Sequence, residues 1–187
     1  MRTALGFRTH SGWAAMVEVA GLLDSPRILD RRRMVIADPE IHGSRQPYHA
    51  AAQLPLAEAE ALIRNSVESS RGLALEGISL ALRAVRAKGH EVAGCAILRG
   101  SGRPLPVLER ILAAHPLIHT AEGELFRDAL EWAARECQLP VIRVMEKDID
   151  PSALECLHGL GSLLGPPWTQ DQNMRLWAVW WLWGRVN

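Results

Sequence analysis

The densest group of side chains that could ligate a metal or move a proton lies between residues 115 and 128. It contains His115, His119, Glu122, Glu124 and Asp128. Imidazole and carboxylate groups serve both as metal ligands and as general acids and bases. We therefore take His119, Glu122, Glu124 and Asp128 as candidate catalytic residues. The spacing matches no zinc motif, and the alternative is a capped, solvated first helical turn in which acids suit the helix dipole.

A second candidate is the sequence RGSGRP at residues 99–104, which joins a predicted strand to a helix. Backbone N–H groups in such a turn, the start of a helix and the arginine side chains would suit a phosphate or carboxylate. Ser101 and Arg103 are the ligand-binding candidates here. A plain turn with solvated arginines is the alternative.

The first predicted hairpin turn, residues 8–12, adds Arg8, His10 and Ser11 as candidate ligand-binding residues. We expect this turn to lie at the same sheet edge as residues 99–104, which would make a combined site rich in arginine and hydroxyl groups. An ordinary surface hairpin explains the turn equally well.

Two further groups carry an interaction hypothesis. His42 and His49 share the polar segment 38–53 with Arg45 and Tyr48, which could form a lid, although exposed loop histidines often have no role. The C-terminus is rich in tryptophan, and aromatic patches are typical of protein interfaces. We expect burial against the domain and a homodimer contact through Trp177, Trp180, Trp181 and Trp183.

Hydrophobic periodicity and turn residues predict the elements that must position these groups. Three strands joined by turns come first, and apolar residues then recur at helical spacing from 56 to 88. The predicted strands are 3–7, 13–20, 27–37, 90–98 and 140–145, and the predicted helices are 56–88, 105–114, 121–138 and 151–164. Residues 38–53 are predicted to be a loop, residues 115–119 a connection, and Thr120 a helix cap. This order predicts an α/β fold: a mixed five-stranded sheet that opens with an antiparallel three-strand meander, with helices on its faces.

Composition limits the classes of function. The 187 residues balance 21 basic against 21 acidic side chains, so nucleic acid is an allowed partner that net charge does not indicate. Cys95, Cys137 and Cys156 are odd in number and lack C-x-x-C spacing, which argues against disulfides and thiolate zinc sites. With no secretory signal and no apolar run of membrane length, we expect a cytoplasmic protein without a membrane partner. Residues 1–165 are predicted to form one domain and residues 166–187 a C-terminal extension.

The element order resembles the ribonuclease H-like fold, in particular its RuvC-like and YqgF-like branches. The sequence LGFRTHSGWAAMVEV is similar to their opening hairpin, and EVAGCAILRGSGRPLP is similar to their central strand and following loop. Asp128-Ala129-Leu130 resembles a helix motif of the resolvases, but here it precedes the last strand. The resemblance implies a nuclease that holds two divalent metal ions with carboxylates.

The residues at the metal-binding positions depart from that pattern. Arg8 stands where the resemblance places the first carboxylate, and the central strand, residues 92–98, contains no acid. A cation at this position would repel a metal ion. The family resemblance therefore indicates a degenerate member, or one that has reused the fold.

Three functions follow from these observations. The first is an anion-binding domain for a phosphate-bearing or nucleic-acid ligand, without two-metal nuclease chemistry. The second is a metal-dependent hydrolase or nuclease that uses the displaced acids Glu122, Glu124 and Asp128, with Mg²⁺ or Mn²⁺ as its cofactor. The third is an assembly protein that acts through its tryptophan-rich C-terminus.

Overall fold

The computed structural model describes residues 1–22, 25–100 and 104–145, which form an α/β fold built on a mixed five-stranded sheet. The elements follow in the order β1 (Arg2–His10), β2 (Trp13–Leu22), β3 (Ser25–Val35), α1 (Pro47–Ala51), α2 (Leu56–Ala87), β4 (Glu91–Arg99), α3 (Leu108–Leu112), α4 (His115–Glu136) and β5 (Val141–Met145). The strand order is β3-β2-β1-β4-β5. The predicted opening meander and mixed sheet are confirmed.

The sheet is antiparallel on one side and parallel on the other. β1 pairs with β2 and β2 with β3 in antiparallel register, whereas β1–β4 and β4–β5 are parallel. Gly12 closes the first hairpin with φ +77°, and a Cβ there would lie 2.9 Å from both Ala37 Cβ and Arg45 Cγ. A glycine at this position therefore lets the turn approach the segment that follows β3.

The long helix α2 begins and ends within one residue of the predicted 56–88 segment. Its stripe of small and apolar residues, with Ala74, Ile78 and Ala81 fully buried, packs over the sheet. Helix α4 packs beside it through Phe126 and Leu130. The small side chains on this stripe allow the two helices and the sheet to approach closely.

Two predicted boundaries are wrong. The predicted connection 115–119 is the start of α4. Pro116 lies in the first turn of this helix, where its missing N–H has no intrahelical partner to lose. Thr120 is therefore inside the helix and does not cap it, and its hydroxyl donates to Pro116 O. The predicted loop 38–53 contains α1, whose five residues are too few to show a helical period.

Other differences are smaller. The third strand begins and ends two residues earlier than predicted, and β1 extends to His10. The predicted helix 105–114 is the single turn α3. The described helices include none with the length and apolar character that crossing a membrane requires.

Several sequence predictions concern residues outside those described. These are the binding candidates Ser101 and Arg103, the helix 151–164, the domain boundary near residue 165, Cys156 and the tryptophans of the C-terminus.

Candidate functional site

The parallel pairing of β1 with β4 sets the geometry of the candidate site. Phe7 lies opposite Ile97, so the turn after β1 and the end of β4 at Arg99 lie at the same edge of the sheet. This is the arrangement expected for the residue 8–12 turn and the segment that begins at Arg99. Helix α4 crosses this edge on one face of the sheet, because Leu125, Phe126 and Leu130 join the core formed by Phe7 and Ile97.

Arg99 is the central residue of the edge, and it is largely buried at 9% exposure. Its guanidinium contacts three carboxylates of α4: Glu124 Oε2 at 2.5 Å, Asp128 Oδ1 at 2.8 Å and Glu131 Oε2 at 2.5 Å. Burial disfavours the charged guanidinium, but the hydrogen bonds to Glu131 and Asp128 outweigh burial and raise the pKa of Arg99 further. The side chain is therefore a buried cation held by three carboxylates of α4.

Glu131 completes the network and accepts from a second strand residue. Arg143 of β5 donates to both Glu131 oxygens, at 2.8 Å and 2.5 Å, and Arg135 lies 2.6 Å from Oε1. Burial alone would raise the pKa of the Glu131 carboxyl, but the hydrogen bonds from Arg143 and Arg99 dominate and lower it to about 2. Glu131 and Arg143 are functional candidates that the sequence did not indicate, because they are distant from Arg99 along the chain. Arg99 belongs to the 99–104 segment that was expected to bind an anion, but its guanidinium contacts carboxylates of α4 instead.

The four candidate catalytic residues separate into two groups. Glu124 and Asp128 contact Arg99, and Glu124 also accepts from Arg127 at 3.0 Å. Glu122 lies on another side of α4 and contacts His49 instead. A metal ion at Glu124 and Asp128 would have to displace Arg99 from both carboxylates. As they stand in the structure, Glu124 and Asp128 thus do not fit the two-metal site that the sequence resemblance implies.

The second group is formed by three histidines and Glu122. His119 and His115 come from the first turn and a half of α4, and His49 comes from α1. Their ligand atoms lie within 4.8 Å of one another. Glu122 Oε2 lies 2.9 Å from His49 Nδ1, and Glu122 Oε1 accepts from the His49 backbone N–H at 3.2 Å. His42, by contrast, lines a separate depression of the same segment together with Arg45 and Gln46.

A small cavity of about 170 Å³ connects the turn after β1 with this histidine group. It brings together the binding candidates His10 and Ser11 and the catalytic candidates His119 and Glu122, and its lining also includes Thr9, Gln46, Gly123, Phe126 and Arg127. Arg127 lies where a Cβ on Gly100 or Gly123 would come within 3.3 Å or 2.8 Å of its guanidinium. The two glycines therefore make room for an arginine that the sequence analysis did not recognise.

Arg8 belongs to the other face of the sheet. Phe7 points into the core under α2 and α4, and successive residues of a strand point to opposite faces. Arg8 lies opposite Ala15, and Ala15 lies opposite Arg33, so the two arginines flank a small residue in one cross-strand row. The structure therefore places Arg8 beside β3 residues rather than beside α4.

Comparison with solved structures identifies the fold. RuvC of Thermus thermophilus in complex with a Holliday junction substrate is similar with a TM-score of 0.55 at 13% identity, covering 100% of this chain and 97% of that one. A second structure of Thermus thermophilus RuvC gives 0.52 at 13% identity, covering 98% and 96%. No protein-family model matches the sequence, and no curated protein does. At this identity the comparison establishes architecture alone: the chain has the ribonuclease H-like fold of RuvC.

Proposed function

We propose that this protein binds the phosphate backbone of nucleic acid through the arginine face of its opening hairpins, and that it does not cleave by two-metal chemistry at the β1/β4 edge. The observation that carries the proposal is the cross-strand row of Arg8, Ala15 and Arg33. Adjacent strands are about 4.8 Å apart, which puts the two arginine backbones roughly 10 Å from each other on one face.

The row continues along β3. Arg31 lies opposite Val17, two residues from Ala15, and so belongs to the same face. Arg33 is exposed, and Arg8 and Arg31 are partly exposed. One arginine guanidinium can bind two phosphate oxygens at once. Several arginines on one face therefore provide affinity that does not depend on the nucleotide sequence. Although the whole chain has no net charge, three arginines of the described residues share this face, and Arg33 is the exposed member of the three.

Trp13 supports the same surface. Its ring stacks on His10 with centroids 4.0 Å apart, and the Arg33 guanidinium carbon lies 4.3 Å from the ring centroid. A cation held over an aromatic ring is already ordered, so it loses little further side-chain freedom when it binds a ligand. Trp13 thus holds Arg33 and His10 in place, which favours contact with phosphates over stacking on bases.

Arg99 argues against cleavage at this edge. Two-metal hydrolysis needs carboxylates that are free to hold both cations. Here Glu124, Asp128 and Glu131 already balance one buried guanidinium. The alternative hydrolase built on Glu122, Glu124 and Asp128 is weakened further, since Glu122 belongs to the histidine group.

The similarity to RuvC supports nucleic acid as the ligand class, since one of the similar structures contains a Holliday junction substrate. Sedimentation of the intact chain would measure its oligomeric state. The homodimer through Trp177, Trp180, Trp181 and Trp183 stays a prediction, because these residues are outside those described.

Fluorescence anisotropy of the full chain with labelled duplex DNA, single-stranded DNA and a four-way junction tests the proposal. We expect binding that weakens with salt, with a logarithmic slope of about −0.9 for each duplex phosphate contacted. Arg33→Ala should lower affinity for every sequence and reduce the slope by about one contact. Inorganic phosphate should compete only weakly, because a single phosphate meets fewer arginines.

Arg83→Ala is the matched control. Arg83 is an exposed arginine of α2, and this helix covers the opposite face of the sheet. The proposal fails if DNA binding is undetectable at low salt, or if Arg83→Ala weakens it as much as Arg33→Ala. Mg²⁺-dependent cleavage that is abolished by Asp128→Asn would overturn the statement about chemistry.

A further inference from the structure

We propose that His49, His115 and His119 form a binding site for a divalent transition-metal ion of the zinc type. This site is separate from the carboxylates that surround Arg99 and from the arginine face. It follows from the junction of α1 with α4, where the three imidazoles meet.

The spacing of the rings suits one ion. His115 and His119 are separated by one turn of α4, so their side chains share a face of the helix. Their ring centroids are 4.4 Å apart. The ring centroid of His49 lies 5.3 Å from that of His115 and 4.7 Å from that of His119. His49 Nε2 lies 3.4 Å from His115 Nε2. Two nitrogens bound to a tetrahedral zinc ion at roughly 2.0 Å are themselves about 3.3 Å apart.

Glu122 gives the second, independent observation. Its carboxylate is almost fully buried and lies at ion-pair distance, 2.9 Å, from Nδ1 of His49, a nitrogen that has no hydrogen bond among the described residues, while Nε2 of His49 faces His115. The same carboxylate accepts the backbone N–H of His49. A carboxylate on the far nitrogen of a metal-binding imidazole fixes the ring and increases its basicity. Burying a glutamate is costly unless its charge is paired and hydrogen-bonded, and here His49 provides both the nearby imidazole and the N–H donor.

Exposure indicates how the site would be used. His115 and His119 are exposed, and the His49 side chain is 27% exposed. Three protein ligands and access to solvent leave one tetrahedral position open for water or another ligand. His119 also lines the small cavity with Ser11 and Arg127, so a group bound at the open position would have hydroxyl and guanidinium neighbours.

The ligand types select the metal. Imidazole suits zinc, cobalt, nickel and copper, whereas Mg²⁺ and Mn²⁺ prefer oxygen ligands. Among the described residues, the carboxylate of Glu122 contacts the outer side of His49 and does not lie between the three rings. We therefore expect Zn²⁺ and Co²⁺ to bind and Mg²⁺ not to compete.

The test uses the full chain without a polyhistidine tag, stripped of metal by a chelator. Zn²⁺ is titrated by calorimetry, and Co²⁺ is followed by the visible absorption that tetrahedral coordination produces. We expect a single ion per chain, a rise in melting temperature with Zn²⁺, and release on acidification because protonated imidazole cannot bind metal. His119→Ala and His115→Ala should abolish the Co²⁺ spectrum, and Glu122→Gln should weaken affinity about tenfold or more.

His42→Ala is the control, since His42 is an exposed histidine of the same segment that lies outside the cluster. It should bind metal as the wild-type chain does. Far-UV circular dichroism of each variant separates loss of the site from loss of the fold. The proposal is overturned by heat no greater than dilution, by an unchanged Co²⁺ spectrum in folded His119→Ala, by equal loss in His42→Ala, or by displacement of Zn²⁺ by Mg²⁺.

Discussion

Arg99 Nη2 lies 2.5 Å from Glu131 Oε2, and this contact joins the end of β4 to the middle of α4. Both side chains are buried, at 9% and 4% exposure. A buried guanidinium and carboxylate are tolerated only when each satisfies the other. The same pair holds Glu124, Asp128 and Arg143 around it, so one contact organises the charged residues of the sheet edge.

The first prediction concerns the energetic weight of this contact. Arg99→Met should destabilise the fold by about 3 kcal/mol, because Glu124 and Glu131 lose the buried cation that they share and keep only their more exposed arginine partners. Arg135→Ala is the control, since Arg135 contacts the same Glu131 but is 65% exposed, and its loss should cost no more than about 1 kcal/mol. Urea denaturation measures both. Equal losses would mean that Arg99 has no special role.

The second prediction is a dependence of stability on pH that Glu131 causes. Its folded pKa of about 2 is below the ordinary 4.5, so the ionised carboxylate stabilises the native state above about pH 4.5. That contribution should fall progressively as the pH drops from 4.5 towards 2. Its full size corresponds to roughly 3 kcal/mol.

Comparison with Glu131→Gln isolates this effect, because glutamine has no charge to lose. The difference in unfolding free energy between wild type and variant should be largest near neutral pH and shrink steadily on acidification. Urea titrations between about pH 3 and pH 6 measure it. A difference that does not vary with pH would show that the carboxylate charge contributes nothing.

The third prediction contrasts two glycines inside α2. A Cβ on Gly72 would meet no atom within 4 Å, whereas a Cβ on Gly77 would lie 2.5 Å from Met34 Cε. Gly72→Ala should stabilise the protein by about 1 kcal/mol, since alanine is the better helix former. Gly77→Ala should gain less or destabilise, because the end of Met34 must move within the core.

Thermal and urea unfolding of the two variants provide the comparison. Both substitutions add the same methyl group to the same helix, so helix propensity is matched and packing differs. A gain at Gly77 equal to that at Gly72 would mean that Met34 moves without cost.

Much of the fold could be predicted from local patterns. The buried residues of α2 recur at helical spacing, and those of β4 form one continuous apolar run. Both patterns are visible in the order of residue types along the chain. The opening meander was predictable because its turn residues, such as Gly12, interrupt alternating strands. The predicted boundaries were wrong where only a few residues determine the structure. Helix α1 is too short to show a helical period, and α4 begins at His115, before the predicted cap at Thr120.

The sequence by itself determined the strands of the sheet and the main helices, since these depend on residue type and spacing along the chain. Only the tertiary structure decided which charged groups meet. Glu122 and Glu124 are two residues apart on one helix, yet one contacts His49 and the other Arg99. The physical reason is that side chains two residues apart on a helix point in nearly opposite directions. Each therefore meets a partner from a different element that is distant along the chain.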